Sequence, residues 1–211
     1  VIIYNNLIQA YAEEIAIEKR HKRQTKTLFP NAPSSVDTMM DTKCKDFIEK
    51  AISLIQNMER SDRNGEFPRP DNFTYCSMCN LLAKVGNSEA AILSESYLRN
   101  VDGYDTPTWN AAISAWTSLC TIDGARRANE LLNELEQSLN DAHGADDLTQ
   151  GPNSLTYHTV ISGWTRASLI GDSDYAATKA EHILHQMITN LKSKVPNAEY
   201  RFSPNVIAFS S

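Results

Sequence analysis

The chain contains no apolar run approaching the ~18 residues that a membrane-spanning helix needs, so no helical span is expected. Cations are the scarcer charge: 20 Lys and Arg stand against 26 Asp and Glu, a formal net charge of −6. That sign argues against a basic surface that holds any polyanion without selection. Cysteine is sparse too. Cys44, Cys76, Cys79 and Cys120 are too few to staple 211 residues into an extracellular framework, and a reducing compartment is the plain reading.

Catalytic signatures are also missing. There is no glycine-rich nucleotide loop, no nucleophile elbow and no acidic cluster suited to a metallonuclease. Cys76 and Cys79 have the spacing of a metal-ligand pair, but there is no second pair and no nearby His. Cys79 falls on an apolar helical stripe and reads as a small core residue. His182 and His185 have no carboxylate between them and match no zinc-protease helix. No enzyme, cofactor or metal is expected from this segment, and no small-molecule substrate.

What the sequence does hold is a repeat. In PNSLTYHTVISGW, residues 152–164, a Pro-Asn turn leads into a helix start. Tyr157, Val160, Ile161 and Trp164 then fall at i, i+3, i+4 and i+7, one face of a helix. The same pattern recurs as Tyr4, Leu7, Ile8, Tyr11; as Tyr75, Met78, Cys79, Leu82; and as Trp109, Ala112, Ile113, Trp116. Another copy opens at Phe209, after Ser203-Pro204-Asn205. Downstream of each aromatic helix lies a second amphipathic stretch, with Ala followed seven residues later by Met or Leu. These pairs are Ala51 and Met58, Ala91 and Leu98, Ala128 and Leu135, Ala180 and Met187. Seven residues is about two turns, so both members share a face. Each unit is therefore helix A, turn, helix B, turn. One such hairpin cannot bury its apolar face alone, so the units are expected to stack into an all-α, right-handed superhelix.

The units are read as residues 1–71, 72–105, 106–153 and 154–205, with the start of another at 206–211, in a segment of a longer protein. Unit one departs from the others. Tyr4 and Ala51 are 47 residues apart, whereas Tyr75 and Ala91 are 16 apart, an insertion of 31 residues. Its helix A is expected to reach about residue 23, a Pro-, Ser- and Asn-rich loop to fill 27–42, and helix B to cover 43–60. Caps are expected at Asn87 or Ser88, with Gly86 closing the preceding helix, and at Asp172 or Ser173.

The stretches VIIYNNLIQAY, PDNFTYCSMCNLLAKVGNSEAA, TPTWNAAISAW and PNSLTYHTVISGW, with the Ala and Met/Leu of the second helices, resemble the pentatricopeptide repeat. The resemblance covers nearly the whole chain. It implies a sequence-selective binder of single-stranded RNA, reading about one base per unit, at work in RNA processing, stability or translation in a mitochondrion or plastid. It lacks the His-x-Glu and Pro-Cys-x-x-Cys of the family's deaminase extension.

The resemblance also implies a site. The fifth residue of each unit, Asn5, Cys76, Asn110, His158 and Ser210, would meet the bases, beside the last residue of each unit, Asp71, Asp105, Asn153 and Asn205. The second residue, Ile2, Phe73, Pro107, Leu155 and Ile207, would sandwich them; all five are apolar although they lie off the buried stripe. Asn5 with Asp71 looks like a uridine reader, and Asn110 with Asn153 like a pyrimidine reader. Cys76 with Asp105 and His158 with Asn205 depart from the usual Asn, Ser or Thr at the fifth position. Lys84 and Arg166, nine residues after the aromatic of their units, would touch phosphate, with a solvated-surface reading beside it; units one and three carry Glu13 and Ser118 there. The basic run from Lys19 to Lys26 reads as a solvated helix end, or as a hold on RNA backbone. The competing reading is an α-solenoid scaffold for proteins, of tetratricopeptide type, which net acidity and long loops favour.

Overall fold

Every unit folds as two helices because its turn chemistry and its apolar period agree. The computed structural model describes residues 1–28, 34–60, 68–103, 105–141 and 151–193. Among them are eight helices and no strand: α1 (Ile2–Leu28), α2 (Ser34–Arg60), α3 (Asn72–Val85), α4 (Ser88–Leu98), α5 (Thr106–Thr117), α6 (Ile122–Asp141), α7 (Ser154–Ser168) and α8 (Ser173–Ser193). The helix starts carry the expected chemistry. Asp71, Asn87, Asp105 and Asn153 are N-caps whose side chains accept from the backbone N–H three residues on. Asp172 does the same for Tyr175 at 3.0 Å. Gly86 closes α3 at φ +66°, the left-handed conformation that glycine adopts without strain.

The odd-numbered helices pack in series, α1 on α3, α3 on α5 and α5 on α7. α2, α4 and α6 each pack on their own partner and on the next odd-numbered helix, and α8 packs on α7. The heptad pairs lie where the period puts them: Ala51, Met58, Ala91, Leu98, Ala128, Leu135 and Met187 are buried. Two apolar clusters result. One gathers Ile8, Ile15, Ile55, Met78 and Leu82; the other gathers Trp109, Ile113, Leu131, Tyr157 and Trp164. Removing a large buried side chain from water stabilises by about 1.5–3 kcal/mol, so these seams carry most of the stability.

Unit one corrects two expectations. Residues 27–42 do not form a loop throughout: α1 runs to Leu28 and α2 begins at Ser34, each helix spanning 27 residues. No Pro or Gly interrupts either span, and Pro30 and Pro33 stand between them. The insertion therefore lengthens both helices. Its apolar stripe is also shifted. Ile8, Ala12 and Ile15 are buried, whereas Leu7 is 39% exposed, because α1 has an odd-numbered neighbour on one side only.

A charged network joins α4, α5 and α6. Glu95 accepts from Arg127 through both carboxylate oxygens, from Arg99 at 3.2 Å, and from the Trp116 indole N–H at 3.1 Å. Arg99 also bonds Glu134 at 2.7 Å and lies over the Trp109 ring, 5.6 Å from its centre. Burial pushes the Glu95 carboxyl up, but Arg127 and Arg99 outweigh it and hold it below its ordinary value. Glu95→Ala is expected to cost about 2 kcal/mol in a urea melt, because it leaves an indole and two guanidiniums short of an acceptor. A carboxyl titrating lower when folded stabilises above its unfolded pKa, about 4.3 for Glu, and loses that contribution as pH falls through the lower folded value. The variant's deficit should therefore shrink in acid. A deficit below about 0.5 kcal/mol at neutral pH would show that the network is surface decoration.

Candidate nucleic-acid interface

Of the described residues expected to meet RNA, all but Lys84 and Arg166, which lie in the last turns of α3 and α7, cluster at the N-terminal ends of the odd-numbered helices. They are built by the same chemistry that starts those helices. In α3, Asp71 Oδ1 accepts from the Thr74 backbone N–H at 2.7 Å, while the Asp71 N–H donates to the Thr74 hydroxyl at 3.2 Å. This reciprocal pair satisfies two backbone donors that a helix end otherwise leaves unpaired. Asn153 and Thr156 repeat it in α7 at 3.1 and 3.0 Å.

Each pair also reaches back to the fifth residue of the preceding unit. The Thr74 hydroxyl lies 2.7 Å from Asn5 Oδ1, and Asn5 Nδ2 donates to Asp71 Oδ1 at 3.3 Å. The same hydroxyl lies 2.7 Å from Asp71 Oδ1, so its single hydrogen is shared between two acceptors. In the second copy the Thr156 hydroxyl donates to Asn110 Oδ1 at 2.6 Å. Cys76 occupies the equivalent seat between them. Its thiol lies against Thr108, whose hydroxyl and backbone N–H both donate to the cap Asp105. Three fifth residues thus meet three cap pairs, one at each junction between consecutive odd-numbered helices.

The two amide junctions are closed, and Cys76 is half-buried. Asn5 is 3% exposed and Asn110 is 9% exposed. Thr74, Thr108 and Thr156 are fully buried. Burial pushes the Asp71 carboxyl up, but the bonds from Thr74 and Asn5 outweigh it and leave it below its ordinary value. Burial likewise raises the Cys76 thiol. It drives the Cys79 thiol up to about 12, with Sγ 3.3 Å from the Ser94 carbonyl, and Cys79 packs as a small core residue. The threonines were missed as site residues. The signal was an Asp or Asn three residues before each Thr, as in Asp71-Asn72-Phe73-Thr74.

The second residues stand apart from the closed junctions. Ile2, Phe73 and Leu155 are 76%, 56% and 55% exposed, and Pro107 is exposed as well. They occupy the first turns of α1, α3, α7 and α5 respectively. His158 is half-buried, with Nε2 3.4 Å from the Ser162 hydroxyl and Nδ1 buried without a partner among the described residues. It lines a shallow depression with Thr159, Ser162, Thr165 and Arg166 on α7, so the structure brings His158 and Arg166 together. Lys84 is engaged: its ammonium sits 2.7 Å from Glu13, the residue at the same position in the preceding unit. Asn205, Ile207 and Ser210 lie outside the described residues.

Among the described residues no helix is long and apolar enough to cross a membrane. No protein-family model matches the chain, and a comparison with curated proteins finds no match.

Proposed function

We propose that this chain is a stretch of pentatricopeptide-type repeats, wound as a right-handed superhelix, that binds single-stranded RNA along its odd-numbered helices. One observation carries the reading. Large apolar side chains stand exposed at the second residue of successive odd-numbered helices, one turn from a hydrogen-bonded amide or thiol junction. Core packing has no use for an exposed Phe73 or Leu155. A base-stacking platform does, since every base offers a π-face.

The junctions fit the second half of that reading. An Asn amide offers two donors and two acceptor lone pairs. Asn5 spends one N–H on Asp71 and one lone pair on Thr74. A donor and an acceptor are left over; with Asn5 only 3% exposed, a base meets them only where the junction opens. Asn110 spends a lone pair on Thr156 in the same way. The resemblance adds the preference, uridine or cytidine at units one and three, and the setting, RNA processing, stability or translation in a mitochondrion or plastid.

Fluorescence anisotropy with a U/C-rich ten-nucleotide strand and its purine counterpart tests this. The pyrimidine strand is expected to bind about tenfold tighter, since one discriminating contact is worth about 1.4 kcal/mol. Its salt dependence is expected to be shallow, at about −0.7 per phosphate contacted, because Lys84 is already paired with Glu13. Equal or absent binding of both strands would remove the proposal and leave the protein-binding scaffold, which retention of partners in a nuclease-treated lysate would then support.

A further inference from the structure

We propose that the cleft between α1, α2, α3 and α4 binds a small amphipathic anion, one with an apolar carbon body and a single carboxylate, sulfonate or phosphate group. Unit one's long helices create it. Where α1 and α2 run on past α3, they enclose about 860 Å³ against α3 and α4, within the range of small-molecule pockets, roughly 300–1,000 Å³. Ile48, Ile52, Leu82, Val85 and Leu93 supply apolar wall. Lys19, Lys22, Arg23 and Lys26 line the α1 side. Their spacing, i, i+3, i+4 and i+7, puts four cations on one helical face.

That stripe is unusual for a chain of net charge −6. The helix dipole favours a cation in the last turn only. It accounts for Lys26 and not for Lys19 or Lys22, which stand nine and six residues before Leu28. Lys19 already has a role, donating to the Val85 carbonyl at the end of α3, so it fixes the wall. Arg23 and Lys26 are exposed on the cleft's rim. Two carboxylates also line the cleft, Glu49 and Glu89; Glu49 sits 3.9 Å from Lys45, which offsets it. Among the described lining residues five cations stand against two carboxylates above an apolar floor, the complement of an acid headgroup on a hydrocarbon or ring system.

RNA is the poorer fit. Among the described residues no aromatic ring lines the cleft, so none of them offers a base a ring to stack on. The cleft also begins fourteen residues along α1 from Asn5, about 21 Å at 1.5 Å per residue. The inference therefore stands apart from the RNA reading.

Calorimetric titration with decanoate, below its micellar concentration, tests it against decanol as the uncharged counterpart. Decanoate is expected to bind at one site, at least tenfold tighter than decanol. Arg23→Glu with Lys26→Glu is expected to weaken decanoate at least tenfold while the thermal melt stays in place, because both side chains are exposed. No binding of decanoate, equal binding of decanol, or an unchanged affinity in the double variant would overturn the assignment. So would displacement of decanoate by a short RNA, which would give the cleft to phosphate backbone instead.

Discussion

Gly163→Val is expected to lower the stability of the chain by about 3 kcal/mol, near the upper end of what overpacking usually costs. Gly163 is where α7 crosses α5. A Cβ built at Gly163 would lie 2.5 Å from Thr117 Cγ2 and 2.9 Å from Thr117 Cβ. Atoms at such separations repel, and neither side can give way easily. Thr117 is 1% exposed and β-branched, so its χ1 is stiff. Val at 163 would add two methyls in the same place. Gly163→Ala is a milder case, because Ala gains about 1 kcal/mol of helix propensity over Gly, leaving a net loss of about 1–2 kcal/mol. Thr117→Ser removes the Cγ2 nearest the new methyl and should restore part of the Gly163→Ala loss in a double-mutant cycle. Additive losses, or no loss in either single variant, would show that the two helices do not approach closely at this point. The reach of the prediction exceeds one contact. The odd-numbered helices can place their first turns side by side only if their backbones come this near.

How much of this was legible in the sequence depended on the range of the interaction. The caps at Asn87 and Asp172 and the stop at Gly86 are readable, because capping is settled within three or four residues. So is the burial of Tyr157, Val160, Ile161 and Trp164, which the helical period places on one face. Unit one departs from its expected loop because Pro, Ser and Asn do not form loop throughout 27–42. A Ser pair followed by Asp37 is as good a helix start, and nothing after it breaks the helix before Arg60. The Glu95 network was not readable at all: Arg127 lies 32 residues away, and only stacking brings them together.

The junctions fall between these cases. The chain shows Asp or Asn before each odd-numbered helix and Asn, Cys or His after each aromatic. It does not show that a buried threonine ties one to the other across the seam. Asn5 and Asn110 therefore have a structural duty at the junction. Truncating either one would loosen a seam as well as alter a ligand contact, which makes them poor probes of binding. The exposed second residues carry no such duty.

The Phe73→Ser, Leu155→Ser double variant is therefore the sharpest probe. Both side chains are more than half exposed, at 56% and 55%, and both sit in a helix's first turn, where Ser is well tolerated. Stability should change by less than about 0.5 kcal/mol. Stacking of a base on an apolar or aromatic side chain contributes about 1–3 kcal/mol per base. Losing two platforms at the low end gives about 2 kcal/mol, or roughly a 30-fold weaker complex. Anisotropy titration of the U/C-rich strand against wild type and this variant settles the matter. A loss of that size with an unchanged thermal melt is the predicted result; identical affinities would contradict an RNA surface built on these side chains.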